Sequence, residues 1–199
     1  MTKNSNKLLV KKKVINYWEI HLRNEAASLK SLSSFKPTFM SLRKPHPLWS
    51  TAGTSPIQVS MAIVQATMLS GRYRTEALLR HFSPSKTGSC LLSEMCVDTR
   101  DSICHILCAC PALNSHRNGL LLFTSNFASR LPCVYAQLLL RLCNPSKDSF
   151  CDFLLDCSSF PEVISLEQQY GHEVLEKFFI VTRTWIFVLH RERLKLLGR

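Results

Sequence analysis

Apolar residues recur along this chain at spacings of three and four, and the breaks between runs fall at proline, glycine and serine. That pattern predicts a mostly α, irregular helical domain. Residues from about Lys7 to Leu32 read as one long amphipathic helix. Leu8, Val14, Ile15, Trp18 and Leu22 sit near helical spacing, with lysines and arginines between them. From Ser33 to Ser55 the rhythm fails. Pro37, Pro45, Pro47 and Pro56, with Ser33, Ser34 and Gly53, forbid a regular helix there. Phe35, Phe39, Leu48 and Trp49 are expected to pin this connector onto the core, and His46, without a metal-like partner nearby, reads as structural.

A second helix is predicted from Pro56 to Leu69, with Ser55 as its N-cap and Ile57, Met61, Val64 and Met68 on its inward stripe. Gly71 ends it. A third, Thr75 to Phe82, presents Arg80 and His81 before a cysteine-rich loop. Further helices follow from Ala112 to Ser129, Val134 to Leu142, Ser149 to Cys157 (capped from Ser146) and, after a short helix ended by Gly171, His172 to Leu197. The last should bury Val174, Phe178, Val181, Trp185 and Val188, and its cationic end suits a helix C-terminus.

Composition sharpens this picture. A chain of 199 residues with 46% hydrophobic content can build a real core, so wholesale disorder is not expected. Lysine and arginine number 25 against 14 acids, for a formal charge of +11, which favours a polyanionic partner, nucleic acid before membrane. The lysines Lys11, Lys12 and Lys13 are more simply a solvated face than a phosphate grip. The opening MTKNSNKLLVKKK lacks the apolar run of a secretory leader, and the most apolar piece, Phe178 to Leu189, is interrupted by Thr182, Arg183 and Thr184. An odd cysteine count, nine, argues against a fully paired disulfide framework. A soluble protein of a reducing compartment, nuclear or cytoplasmic, is expected.

The candidate chemistry lies between Gly88 and Arg117. Cys90, Cys96, His105 and Cys110 are spaced C-x5-C-x8-H-x4-C. Three thiols and an imidazole within 21 residues can close a tetrahedral shell around one structural zinc ion, leaving no open position for substrate. Such a shell gives a short segment a shape that its few apolar side chains do not enforce alone. Gly88 lets the backbone turn toward the metal, and Pro111 suits the first turn of the next helix. Cys104 and Cys108 are close enough to compete as ligands but read as packing residues. Cys133, Cys143, Cys151 and Cys157 lie among leucines and phenylalanines and read as core.

The strings LSGRYRTEALLRHFS, GSC and CHILCACPALNSHR resemble the zinc-binding tail that follows the polymerase in non-LTR (LINE-type) retrotransposon reverse transcriptases. SLSSFKPTFMSLRKPHPLWSTAGTSP upstream is similar to the connector before that tail, and the sequence from Phe153 to Arg199 is similar to its closing helices, so the likeness covers most of the chain. Ser93 stands where many relatives carry their second cysteine, which leaves Cys96 to complete the set. The resemblance implies a non-catalytic module that grips RNA or DNA beside a polymerase domain.

Arg72, Tyr73, Arg74, Arg80 and Lys86 are the candidate nucleic-acid contacts, four cations for phosphate and one ring for stacking. The bland alternative is a buried Tyr73, with the arginines paired to Glu76, Glu94 or Asp98. Catalytic signatures are missing: no paired-aspartate polymerase motif, no phosphate loop, no nucleophile elbow. Asp148, Asp152 and Asp156 share one helical face and read as a solvated stripe. No enzyme is therefore expected. Residues 1–55 form a basic helix and connector, 56–87 a helical lead-in, 88–117 the metal segment and 118–199 a helical region. The alternative to the nucleic-acid module is a helical scaffold with buried cysteines and no metal.

Overall fold

The computed structural model describes residues 3–28, 45–96 and 98–198. Its axis is the final helix. Glu173–Leu196 contains neither glycine nor proline, carries Glu173 and Glu176 in its first turn and Arg193 and Lys195 in its last, and so agrees with the helix dipole at both ends. Gly171, at φ +90°, separates it from the helix before.

Eight helices are named here in chain order: α1 (Lys3–Ser28), α2 (Pro56–Leu69), α3 (Glu76–Phe82), α4 (Asn114–Ala128), α5 (Cys133–Leu142), α6 (Phe150–Leu155), α7 (Pro161–Tyr170) and α8 (Glu173–Leu196). A single turn, Pro47–Ser50, precedes α2. The molecule is mostly helical. Among the described residues, β pairing is confined to an isolated antiparallel bridge between Ser89 and Arg100.

Helices α2, α4, α6 and α7 pack around α8. Val174, Phe178, Val181 and Trp185 are buried along it as the spacing predicts, joined by Leu175, Phe179, Ile186 and Leu189, while Val188 is only half-buried. The Phe150 ring meets Trp185 edge to face, with centroids 5.2 Å apart, and Phe153 meets Phe160 the same way at 5.4 Å. Each such side chain, fully buried, contributes roughly 1.5–3 kcal/mol by leaving water. The indole N–H of Trp185 donates to Thr124 Oγ1 at 2.8 Å, so its polar atom is satisfied as well.

Buried polar side chains close the ends of the short elements. Gln65 on α2 donates from Nε2 to the carbonyls of Leu154 and Leu155 at 2.8 and 3.1 Å, taking up acceptors that the C-terminus of α6 leaves open. Arg183 on α8 does the same for the Pro47–Ser50 turn, donating to the carbonyls of Leu48 and Thr51. His46 caps that turn, its Nδ1 accepting from the Leu48 N–H at 3.2 Å, and its Nε2 lies 3.4 Å from the Asp156 carboxylate.

Several expectations need correction. The α2 boundaries and its Ser55 cap stand as read, but the inward face is Ala62, Gln65, Met68 and Leu69, whereas Ile57 is exposed and Met61 and Val64 only half-buried. The glutamine turns the helix inward because its amide has carbonyls to meet. Helix α1 forms over Lys3–Ser28, yet it does not bury an apolar stripe: Leu8, Val14 and Trp18 are exposed. The side chains of Leu22, Phe35 and Phe39 lie outside those described. Leu48 is buried, while Trp49 stays half exposed. Cys133 is exposed rather than core. Asp156 is buried, not part of a solvated stripe, and accepts from the Ser158 hydroxyl and N–H. No described helix is long and apolar enough to cross a membrane.

Candidate metal centre

Between α3 and α4 the chain folds into a small clip. Gly88 begins it at φ +77°, a left-handed conformation that L side chains rarely adopt; a Cβ there would also press on Arg80 Cδ at 3.0 Å. The segments on either side of the Ser89–Arg100 bridge are joined by hydrogen bonds from Cys90 N to Thr99 O at 2.9 Å and from Asp101 N to Gly88 O at 3.0 Å. Cys90 thus sits at the mouth of a hairpin. Its loop turns through Glu94–Cys96 and brings Cys96 back toward Cys90. The five residues between the two cysteines, long for a ligand pair, are taken up by that extra turn.

The second pair comes from the other side. His105–Ala109 is a π-turn, closed by a 2.7 Å bond from the Cys110 N–H to the His105 carbonyl. That wide turn places Cys110 beneath His105, and Pro111 then starts the path into α4.

The four side chains converge. The sulfurs of Cys90 and Cys110 are 3.8 Å apart, those of Cys96 and Cys110 3.9 Å, and all four ligand atoms lie within 4.8 Å of one another. Sulfurs about 2.3 Å from one central ion stand roughly 3.8 Å apart in a tetrahedron. All four residues are buried, and Nε2 of His105 has no hydrogen-bond partner. An imidazole with one buried, unpartnered nitrogen, set among three thiols, fits a cation better than it fits packing. The group can hold a metal ion.

Burial shifts all four groups toward their neutral forms. Burial pushes the thiols of Cys90, Cys96 and Cys110 above their ordinary value. The backbone N–H groups of Leu92 and Ala112, each two residues beyond its cysteine, oppose this at Cys90 and Cys110 by favouring a thiolate. Burial lowers His105, keeping its imidazole neutral, the form that ligates. A bound cation would be the largest local charge and would draw the thiol protons off.

Comparison with protein families, with curated proteins and with solved structures finds no match to this chain. The site rests on its own geometry.

Two buried cations hold the clip in place. Arg117 on α4 donates to the carbonyls of Ile106 and Cys110 and to Asn114 Oδ1, fixing the second ligand pair from behind. Asp101 Oδ2, at the end of the hairpin, accepts from the Glu76 N–H at 2.6 Å and from Arg193 at 2.8 Å, tying the clip to α3 and α8. Sequence reasoning missed both, because single charges carry no spacing. Neither rival cysteine joins the ligand group. Cys104 and Cys151, expected as packing and core residues, instead form a disulfide that joins the clip to α6 at a Cα separation of 5.5 Å, and Cys108 packs half-buried, its thiol pushed up to about 11 by burial.

The cationic residues divide. Arg80 and Arg100 line an open cleft beside the hairpin, with His81, Thr87, Ser89 and Asp98. Arg80 donates to the Thr87 carbonyl at 3.1 Å, and Lys86 stands 4.0 Å from Glu76. Arg72 and Arg74 are exposed. Tyr73 is not a stacking surface. It is only 6% exposed, its hydroxyl lies 2.9 Å from Nδ1 of His190, and the Arg193 guanidinium covers its ring at 5.5 Å. Arg100, which spacing arguments passed over, replaces it at the cleft.

Proposed function

We propose that the chain is a non-catalytic, zinc-clipped nucleic-acid-binding module. The observation that carries this reading is the convergence of Cys90, Cys96, Cys110 and His105 into one buried group whose ligand atoms all lie within 4.8 Å of one another. Three sulfurs and one imidazole form a soft, borderline donor set that suits zinc, and the closed shell suits a structural ion. When bound, zinc supplies shape rather than chemistry. The hairpin and the π-turn become one rigid piece, whose outer wall presents Arg80, His81 and Arg100 to solvent. Arg72, Arg74 and Lys86 are exposed as well, and the +11 charge of the whole chain supports a polyanion as partner. The likeness of CHILCACP and its surroundings to the tail of LINE-type reverse transcriptases points to RNA or DNA, held beside a polymerase domain, inside the cell.

The competing reading is a helical scaffold with buried thiols and no metal. It must leave His105 Nε2 buried and unpaired, at a cost of about 1–3 kcal/mol with no compensating contact.

Metal analysis of the purified chain, followed by binding of labelled RNA across a salt series, separates the two. The module binds about one zinc per chain and loses affinity steeply with salt. Replacing Arg80 and Arg100 by glutamine reduces the salt slope by about 0.7 to 0.9 for each phosphate no longer neutralised and leaves the metal content unchanged. A metal-free chain whose RNA binding ignores salt contradicts the proposal.

A further inference from the structure

Helix α1 sets a problem that the metal centre does not solve. Tyr17 is 63% exposed and Trp18 48%, and the aliphatic side chains of Leu8, Leu9, Val10, Val14 and Ile20 are exposed too. The helix carries six lysines and arginines against two glutamates.

Three occupants of such a surface can be weighed. A bilayer surface or a partner groove needs a segregated apolar face. Here the apolar residues lie around the helix with Lys11, Lys12 and Lys13 between them, so no such face exists. Single-stranded nucleic acid needs something else: exposed flat rings for bases and cations in line with them for phosphates. Lys7, Lys11, Val14 and Trp18 follow one another at intervals of four, three and four, which puts them on one side of the helix. Tyr17 lies beside Trp18, with ring centroids 5.7 Å apart. His21 backs both, its ring parallel to Tyr17 at 5.9 Å and edge-on to Trp18 at 5.7 Å, while its Nε2 faces Glu25 at 3.5 Å. From Lys7 to Trp18 the helix rises about 16 Å, room for roughly two or three nucleotides. In a duplex the base faces are already stacked, so these rings favour a single strand.

We propose that α1 is a stacking platform for single-stranded nucleic acid, with bases on Tyr17 and Trp18 and phosphates on Lys7 and Lys11. It rests on the nucleic-acid reading above and adds the strandedness of the ligand.

The test uses the full chain and fluorescence anisotropy of a labelled oligouridylate of about twenty nucleotides, beside a duplex RNA of equal length. The double substitution Tyr17→Ala with Trp18→Ala lowers affinity for the single strand about tenfold or more and changes duplex affinity less than about twofold. Trp18→Phe, which keeps a flat ring, retains part of the single-strand affinity. Lys7→Gln with Lys11→Gln lowers the single-strand salt slope by about 1.4. These side chains are exposed, so thermal stability stays at the wild-type value in each variant. If the double variant binds oligouridylate as the wild type does, the platform is refuted while the module stands. The platform is equally refuted if the double variant instead loses self-association or binding to phosphatidylserine vesicles with oligouridylate affinity unchanged. A wild-type chain that binds neither RNA removes both readings together.

Discussion

Around α8, Cys143 is buried among apolar side chains, whereas in the clip Cys90, Cys96 and Cys110 are buried against one another. Residue type and depth are the same in both regions; the company differs. The α8 region has Trp185, Phe150, Phe153 and Phe178 to fill its interior, and its buried polar side chains each hold hydrogen bonds, though Gln65 Oε1, Arg183 Nε and Arg193 Nε have no partner. The clip has Ile106, Leu107 and Leu113, a lone β-bridge, and an imidazole nitrogen without a partner. Apolar packing explains the first region unaided. The second brings a hairpin and a π-turn together at four buried side chains that a shared ion would join. Exposure alone therefore does not separate a structural cysteine from a ligand. The atoms around it do.

The largest expected effect breaks the comparison on the clip side. Stripping the metal with a chelator, or making Cys110→Ala, removes a binding free energy on the order of 10 kcal/mol from the clip. Amide exchange should then lose protection across residues 88–113 while α8 stays protected. Persistent protection in the clip would show that packing suffices there. On the other side, Trp185→Ala costs about 3–5 kcal/mol by opening a cavity where Phe150 and Thr124 meet it. Urea unfolding should show the whole chain losing stability together, with the native protein still binding its metal. A smaller effect comes from Cys143, whose thiol burial pushes up to about 12 from an ordinary value of 9.0. A pKa raised on folding stabilises the native state fully below the unfolded value and is lost as pH climbs toward the folded one. Stability should therefore decline above pH 9 by about 1.4 kcal/mol per pH unit from this thiol, and Cys143→Ala should flatten that part of the profile.

The same contrast explains what the sequence made legible. Four candidate ligands lie within 21 residues, so their types and spacing, together with the family phrase around CHILCACP, were enough to assemble Cys90, Cys96, His105 and Cys110. Helix boundaries were readable for a similar reason: Ser55, Pro56, Gly71 and Gly171 act on their immediate neighbours. Faces were harder. Gln65 turns inward to carbonyls 89 and 90 residues away, and Tyr73 is covered by His190 and Arg193 from the far end of the chain. Neither partner can be inferred from a local window. Amphipathic spacing misled at α1, where the helix forms but the apolar residues stay exposed.

The central claim is that an ion holds the clip together, and X-ray absorption at the zinc edge of the purified chain tests it most directly. The account predicts about one zinc per chain in a shell of three sulfurs near 2.3 Å and one nitrogen near 2.0 Å. A chain without bound zinc, or zinc surrounded by oxygen, would contradict it.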